Sequence, residues 1–207
     1  MTRQAERVYV FKRFERLWHW TQATLIILLG LTGFEVHGSW HWLGFERAHF
    51  WHTRLAWALV ILTAFAIFWD WTTGEWKQYL LTTSGVKAIA RYYAVGIFRN
   101  EPHPFKPTEL SKLNPLQRVT YLAFKILILP VMMTTGLLMI YYNQWLQWGL
   151  HWHLGPVALV HTAGAFLLVI FFIVHVYMTT TGHTWFSHIK AMITGWEEVE
   201  ETEPATA

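Results

Sequence analysis

Four stretches of the chain stay apolar for about a membrane's width: 17–36, 50–71, 119–142 and 154–178. A helix needs roughly 20 such residues to cross the hydrocarbon core of a bilayer. In lipid the backbone must satisfy its own polar groups, so the pattern predicts four helices over these ranges. The first run follows a basic region, but it is longer than a signal-peptide core and lacks a small-residue cleavage site, so it is expected to be a retained helix. Pro130 is expected to kink the third helix without breaking it. Between the second and third runs, 75–98 mixes basic and aromatic residues, which predicts an amphipathic helix lying on the membrane surface. The stretch 100–109, with three prolines, is expected to be an irregular link. The end, 197-EEVEETEPATA-207, is acidic and expected to be disordered.

Charge gives these elements an orientation. Arg3, Arg7, Lys12, Arg13 and Arg16 precede the first run. Lys77, Lys87, Arg91, Arg99, Lys106, Lys112 and Arg118 fill the 72–118 connection, and Lys190 follows the fourth run. Thirteen of sixteen basic residues thus lie on one side; Arg47 and Arg54 fall near the other, and Lys125 lies within the third run. The positive-inside rule makes both termini and the 72–118 connection cytoplasmic. The expected fold class is therefore all-α: a transmembrane four-helix bundle with a cytoplasmic interfacial amphipathic helix. One membrane domain, 1–196, would be followed by the acidic tail 197–207. The expected location is the bacterial inner membrane.

Composition narrows the chemistry. Only 14% of residues are charged against 54% hydrophobic, and fourteen tryptophans fit aromatic belts at two interfaces. The absence of cysteine excludes disulfides, thiolate zinc sites, iron–sulfur clusters and covalently attached c-type haem. A net charge of +3 is small, and no nucleic-acid partner is expected.

Histidine carries the remaining signal. His161 and His175 are fourteen residues apart, which puts them within about 40° on one helix face and roughly 21 Å apart along the axis. With the orientation above, His19 and His175 fall in the cytoplasmic leaflet, and His52 and His161 in the outer one. Two imidazoles at one depth are what a six-coordinate haem needs, its porphyrin supplying the four equatorial nitrogens. Gly30, Gly33, Gly136, Ala163, Gly164 and Ala165 are small enough to admit a ring, although small residues also serve plain helix packing. A lone membrane histidine can instead hydrogen-bond a neighbouring helix; four that pair by leaflet favour ligation. His37, His41, His151 and His153 in outer loops, and His103, His183 and His188 in cytoplasmic segments, read as interfacial. His49 shares a face with His52 at i, i+3 but sits shallower, so it ranks second as a ligand.

These residues resemble the dihaem cytochrome b subunits of membrane-bound respiratory oxidoreductases. The likeness is to the gamma subunit of formate dehydrogenase and its thiosulfate-reductase and nickel–iron hydrogenase relatives. It runs from 13-RFERLWHW-20 to 188-HIKAMITGWEE-198 and is most specific at His161/His175 followed by Val176-Tyr177-Met178, at 112-KLNPLQR-118 and at 189-IKAMITG-195. The resemblance implies two b haems, with His19 and His175 as axial ligands of the cytoplasmic-side haem and His52 and His161 of the outer one. It also implies a quinone site, for menaquinone or ubiquinone, at Asn114, Gln117 and Arg118; the same Asn114-Pro115 is equally an ordinary helix N-cap. Pro115 and Leu116 replace small residues of the formate dehydrogenase pattern. Arg54, one turn into the second helix, could meet a haem propionate or snorkel outward.

The expected function is electron transfer between the quinone pool and an outer-face redox subunit. That partner would be of iron–sulfur, molybdopterin, hydrogenase or multihaem cytochrome c type and would hold the substrate chemistry. The alternative is a free-standing cytochrome b561-like, quinone-reactive oxidoreductase. A haem-free metal carrier or membrane anchor is a remoter one; broken helices or mid-membrane carboxylates would mark a carrier, and Glu35 and Asp70 lie at helix ends.

Overall fold

The computed structural model describes residues 5–82, 84–99, 101, 104–108, 111–182 and 184–200. In chain order its main elements are β1 (Ala5–Tyr9), α1 (Arg13–Val36), α2 (Phe45–Thr73), α3 (Val86–Ala94) and α4 (Pro115–Ala123). A π-helical turn (Phe124–Ile128) follows, then α5 (Leu129–Ile140), α6 (Leu154–Thr179), α7 (Ser187–Thr194) and β2 (Trp196–Glu200). Two compact units divide the chain: Met1–Leu17, Gly74–Leu122 and Val174–Ala207 form one, and Trp18–Thr73 with Ala123–Ile173 the other.

The second unit is helical. Leu59 of α2, Phe124 of the π turn and Leu129 of α5 are buried together, and Leu25, Ile26 and Leu29 of α1 and Leu168 and Phe171 of α6 close around them. Such contacts, not a hydrophobic driving force, hold helices together in lipid. The opposite faces are bare: Ile61, Phe65 and Phe68 of α2 and Leu159, Ile170 and Ile173 of α6 are each at least 58% exposed. Apolar surface on that scale needs lipid against it. Among the described residues, α2, the run Pro115–Ile140 and α6 are long and apolar enough to cross a membrane. α1 has the length, at 24 residues, but Thr21, Gln22, Thr24, Thr32 and Glu35 make it more polar than those three.

Three local features differ from the sequence pattern. α2 begins at Phe45, five residues ahead of the apolar run, because polar contacts start it. The buried Glu35 carboxylate at the end of α1 accepts the amides of Leu43 (2.5 Å) and Gly44 (2.8 Å), just where the helix N-terminus favours an anion. Hydrogen bonds to a charged group contribute about 1.5–3 kcal/mol each. Pro130, expected as a kink, follows directly on the π turn, in which the Leu129 amide donates to the Phe124 carbonyl five residues back. Proline offers no amide and crowds the preceding turn, and a wider turn relieves both. On that turn Lys125 pairs with Asp70 at 2.7 Å and lies 5.4 Å from the Trp18 ring centre, so an apolar run tolerates its charge.

The first unit corrects the expectation for the acidic tail. Residues 197–200 are not disordered: β2 pairs antiparallel with β1, from Ala5 opposite Glu200 to Tyr9 opposite Trp196. Side chains also meet across the ribbon. Arg7 and Glu198 form an ion pair at 3.4 Å, and the Tyr9 and Trp196 rings lie 5.1 Å apart. Residues 201–207 of the tail, and His103 and His183, lie outside the described residues. The surface helix expected over 75–98 is also interrupted. It resolves into a 3-10 turn at Glu75–Tyr79, the nine-residue α3 and a second 3-10 turn at Gly96–Arg99, with left-handed Gly74 and Gly85 before the first two.

A buried charge cluster ties this unit together. Lys112, almost wholly buried, contacts Glu15 at 2.7 Å and Glu75 at 3.0 Å, and Lys12 reaches Glu75 at 2.6 Å. Burial works to raise the Glu75 carboxyl, but the hydrogen bonds from Lys12 and Lys112 outweigh it and hold Glu75 below its ordinary 4.5. Arg16, one turn after Lys12, reaches the Ile193 carbonyl on α7.

Candidate cofactor site

His52 on α2 and His161 on α6 meet within the second unit. Their ring centres are 6.4 Å apart and their planes stand at 81°. Two imidazoles on opposite sides of one metal ion, each about 2.0 Å from it, have ring centres roughly 6 Å apart. The separation fits two ligands of one metal ion, and it also falls within the roughly 4.5–7 Å of an edge-to-face ring pair.

Each ring is held by the same device on a neighbouring helix. The Thr32 hydroxyl donates to the Leu28 carbonyl at 2.7 Å and meets His52 Nδ1 at 3.1 Å. The Thr135 hydroxyl donates to the Val131 carbonyl at 2.6 Å and meets His161 Nδ1 at 2.9 Å. The residue after each threonine is glycine. A Cβ on Gly33 would stand 3.0 Å from His52 Cε1, and one on Gly136 3.3 Å from His161 Cε1. At those distances an added methyl group would make the ring give way by a few tenths of an ångström. The apolar pattern does not single out Thr32 and Thr135 beside these rings, although the Thr-Gly dipeptide in both α1 and α5 is a visible signal.

The other two predicted ligands are half-buried as well. His19 lies on α1 in the second unit, edge-on to Trp20 at 5.2 Å. His175 lies on α6 in the first unit, where the Tyr121 ring of α4 stands 6.2 Å from it. His37, His41, His49, His151 and His153 are exposed. His49 stacks on Phe45 at 6.0 Å in an open groove of about 560 Å³ that also contains Glu46 and Arg54. This contrast separates it from His52, which faces His161. Arg54 holds its guanidinium 4.1 Å from the centre of the Phe50 ring, a cation–π contact.

Asn114, Gln117 and Arg118 come together at the start of α4. The Asn114 amide donates to Gln117 Oε1 at 2.9 Å, and the Gln117 amide donates to Asn114 Oδ1 at 2.8 Å: a reciprocal capping box with Pro115 at the first helical position. Arg118 donates to the Leu113 carbonyl and to Ser111 Oγ, closing the loop before the helix. Asn114 Nδ2 also donates to the Tyr93 hydroxyl at 3.4 Å. Burial pushes that phenol up to about 12, so it stays protonated at physiological pH.

Among the described residues, no three His, Cys, Asp or Glu side chains converge to hold a bare metal ion. Two imidazoles flanked by glycine notches and apolar helix faces fit a flat macrocycle that brings its own equatorial ligands. A site of this kind is what a membrane b-type cytochrome requires. The chain belongs to the prokaryotic cytochrome b561 family, which it matches over residues 10–195. It is also 30% identical, over 94% of its own length and 76% of the relative's, to an Escherichia coli (strain K12) protein named "Putative cytochrome YdhU". Membership implies haem b binding and a part in electron transfer at the membrane.

Proposed function

We propose that this chain is a dihaem membrane cytochrome that carries electrons between the quinone pool and a redox subunit on the outer face. The observation that supports it most directly is the meeting of His52 and His161, on helices more than a hundred residues apart in sequence, at the spacing of two axial ligands. His19 and His175 are the second ligand pair, and α1 joins α2, the run Pro115–Ile140 and α6 as the fourth span of a transmembrane bundle. The distribution of charge agrees: every described residue of the basic set assigned to the cytoplasmic side falls in the first unit, whereas Arg47, Arg54 and Lys125 fall in the second.

Haem bound between these histidines supplies one-electron oxidation and reduction, at a potential set by its ligands and surroundings. The chain's own part is to hold the rings, exclude water and present a quinone site. Arg54, two residues on from His52, offers a cation to a carboxylate. For the quinone, His175, Tyr121, Tyr93, Asn114 and Gln117 belong to one unit, and Gln117 and Tyr121 lie four residues apart on the same face of α4. The capping box fixes Asn114 and its contact with the protonated Tyr93 phenol, as an ordinary helix N-cap also does, so the quinone role rests on the grouping of these residues in one unit.

A free-standing b561-like oxidoreductase is the second reading, favoured by the family the chain matches. Potentiometric titration of the purified protein tests both. Two b-type components, with quinol reducing them and a partner subunit co-purifying, meet the proposal. The same components without a partner meet the second reading, and a protein with no b-type component contradicts both.

A further inference from the structure

The two threonines do more than fill space beside the rings. A hydroxyl has one proton to give, and those of Thr32 and Thr135 are given to the carbonyls of Leu28 and Val131. Each oxygen can then only accept from the histidine beside it. It follows that the proton of each neutral ring sits on Nδ1 and that the lone pair sits on Nε2. The Leu29 carbonyl also lies beside the His52 ring, and the Met132 carbonyl beside that of His161. The two arrangements are copies, from helix α1 to α2 and from α5 to α6. In each, a threonine hydroxyl meets the ring's Nδ1, with a glycine notch next in sequence.

We infer that Thr32 and Thr135 are paired positioning residues, which fix the tautomer and rotation of His52 and His161 so that both Nε2 lone pairs face a single iron. The inference rests on the proposed ligation by His52 and His161 and specifies how the chain prepares it. A ring that donates from Nδ1 is a more basic ligand and favours the ferric state, so the hydroxyls also tune the potential. Because both act on one site, both must act on the same haem.

The test is a redox titration with low-temperature EPR on the purified protein, comparing wild type, Thr32→Val, Thr135→Val, the double variant and the Thr→Ser variants. Valine keeps the shape and removes the hydroxyl; Thr→Ala at either position reads the same loss should valine fail to accumulate. Each valine variant is expected to raise the midpoint and move the low-spin signal of one haem, the same haem for both, and to leave the other unchanged. The double variant should shift it further, and serine should restore the wild-type values. Midpoints and signals that stay put, or variants that shift different haems, overturn the inference. His52→Ala separates this from failure of the ligand reading. Loss of one haem there with unmoved threonine variants overturns only the role of the hydroxyls. Full haem content in His52→Ala overturns both.

Discussion

At the residue scale, the site is made by what glycine lacks. Gly33 and Gly136 let imidazole carbons approach to distances at which an added methyl group would press on the ring, most tightly at Gly33. Gly30, one turn earlier on α1, has open space where its Cβ would be. The two positions look alike in the sequence, and only packing separates them. Gly33→Ala is expected to lower the haem content by displacing His52, with the helix otherwise intact. Gly30→Ala should leave haem content unchanged and, since alanine is the better helix former by up to ~1 kcal/mol, should not destabilise the protein. Haem-to-protein ratios on the two purified variants check this. Equal loss in both would mean that the notch is not what seats the ring.

Elements show where the pattern of apolar positions stops being informative. The long helices were legible because lipid demands 20-residue apolar runs, and the four half-buried histidines were legible because lipid makes each one costly. The start of α2 was not, since its first turn is polar and depends on Glu35 from another helix. The β1–β2 ribbon was not either, because its partners lie about 190 residues apart and neither strand alternates strongly. The same long-range logic holds the Glu15–Lys112–Glu75–Lys12 cluster, which joins the start of α1 to the segments after α2 and before α4. Glu75 is held below its ordinary 4.5 in the folded protein, so its contribution is complete above that value and is lost as the pH falls through the depressed one. Protease resistance followed from about pH 6 down to pH 3 should therefore decline, and Glu75→Gln should remove the part of the decline that belongs to this carboxyl. An acid profile identical in wild type and variant would mean that the cluster contributes nothing measurable.

At the scale of the whole molecule, the proposed function makes the chain a scaffold that holds redox groups at chosen depths in a membrane and leaves the chemistry to them. α6 carries His161 near its start and His175 near its end, one for each expected site, so a single helix sets their spacing. What the sequence could not display is how each ring is aimed, because that depends on hydroxyls and carbonyls of neighbouring helices. The most direct measurement is pyridine-haemochrome quantitation with a reduced-minus-oxidised spectrum on detergent-purified wild type, His161→Ala and His175→Ala. The account predicts about two b haems per chain in the wild type and the loss of one, a different one, from each variant. A well-folded wild type with a single haem or none, or variants that both lose the same haem, would contradict it.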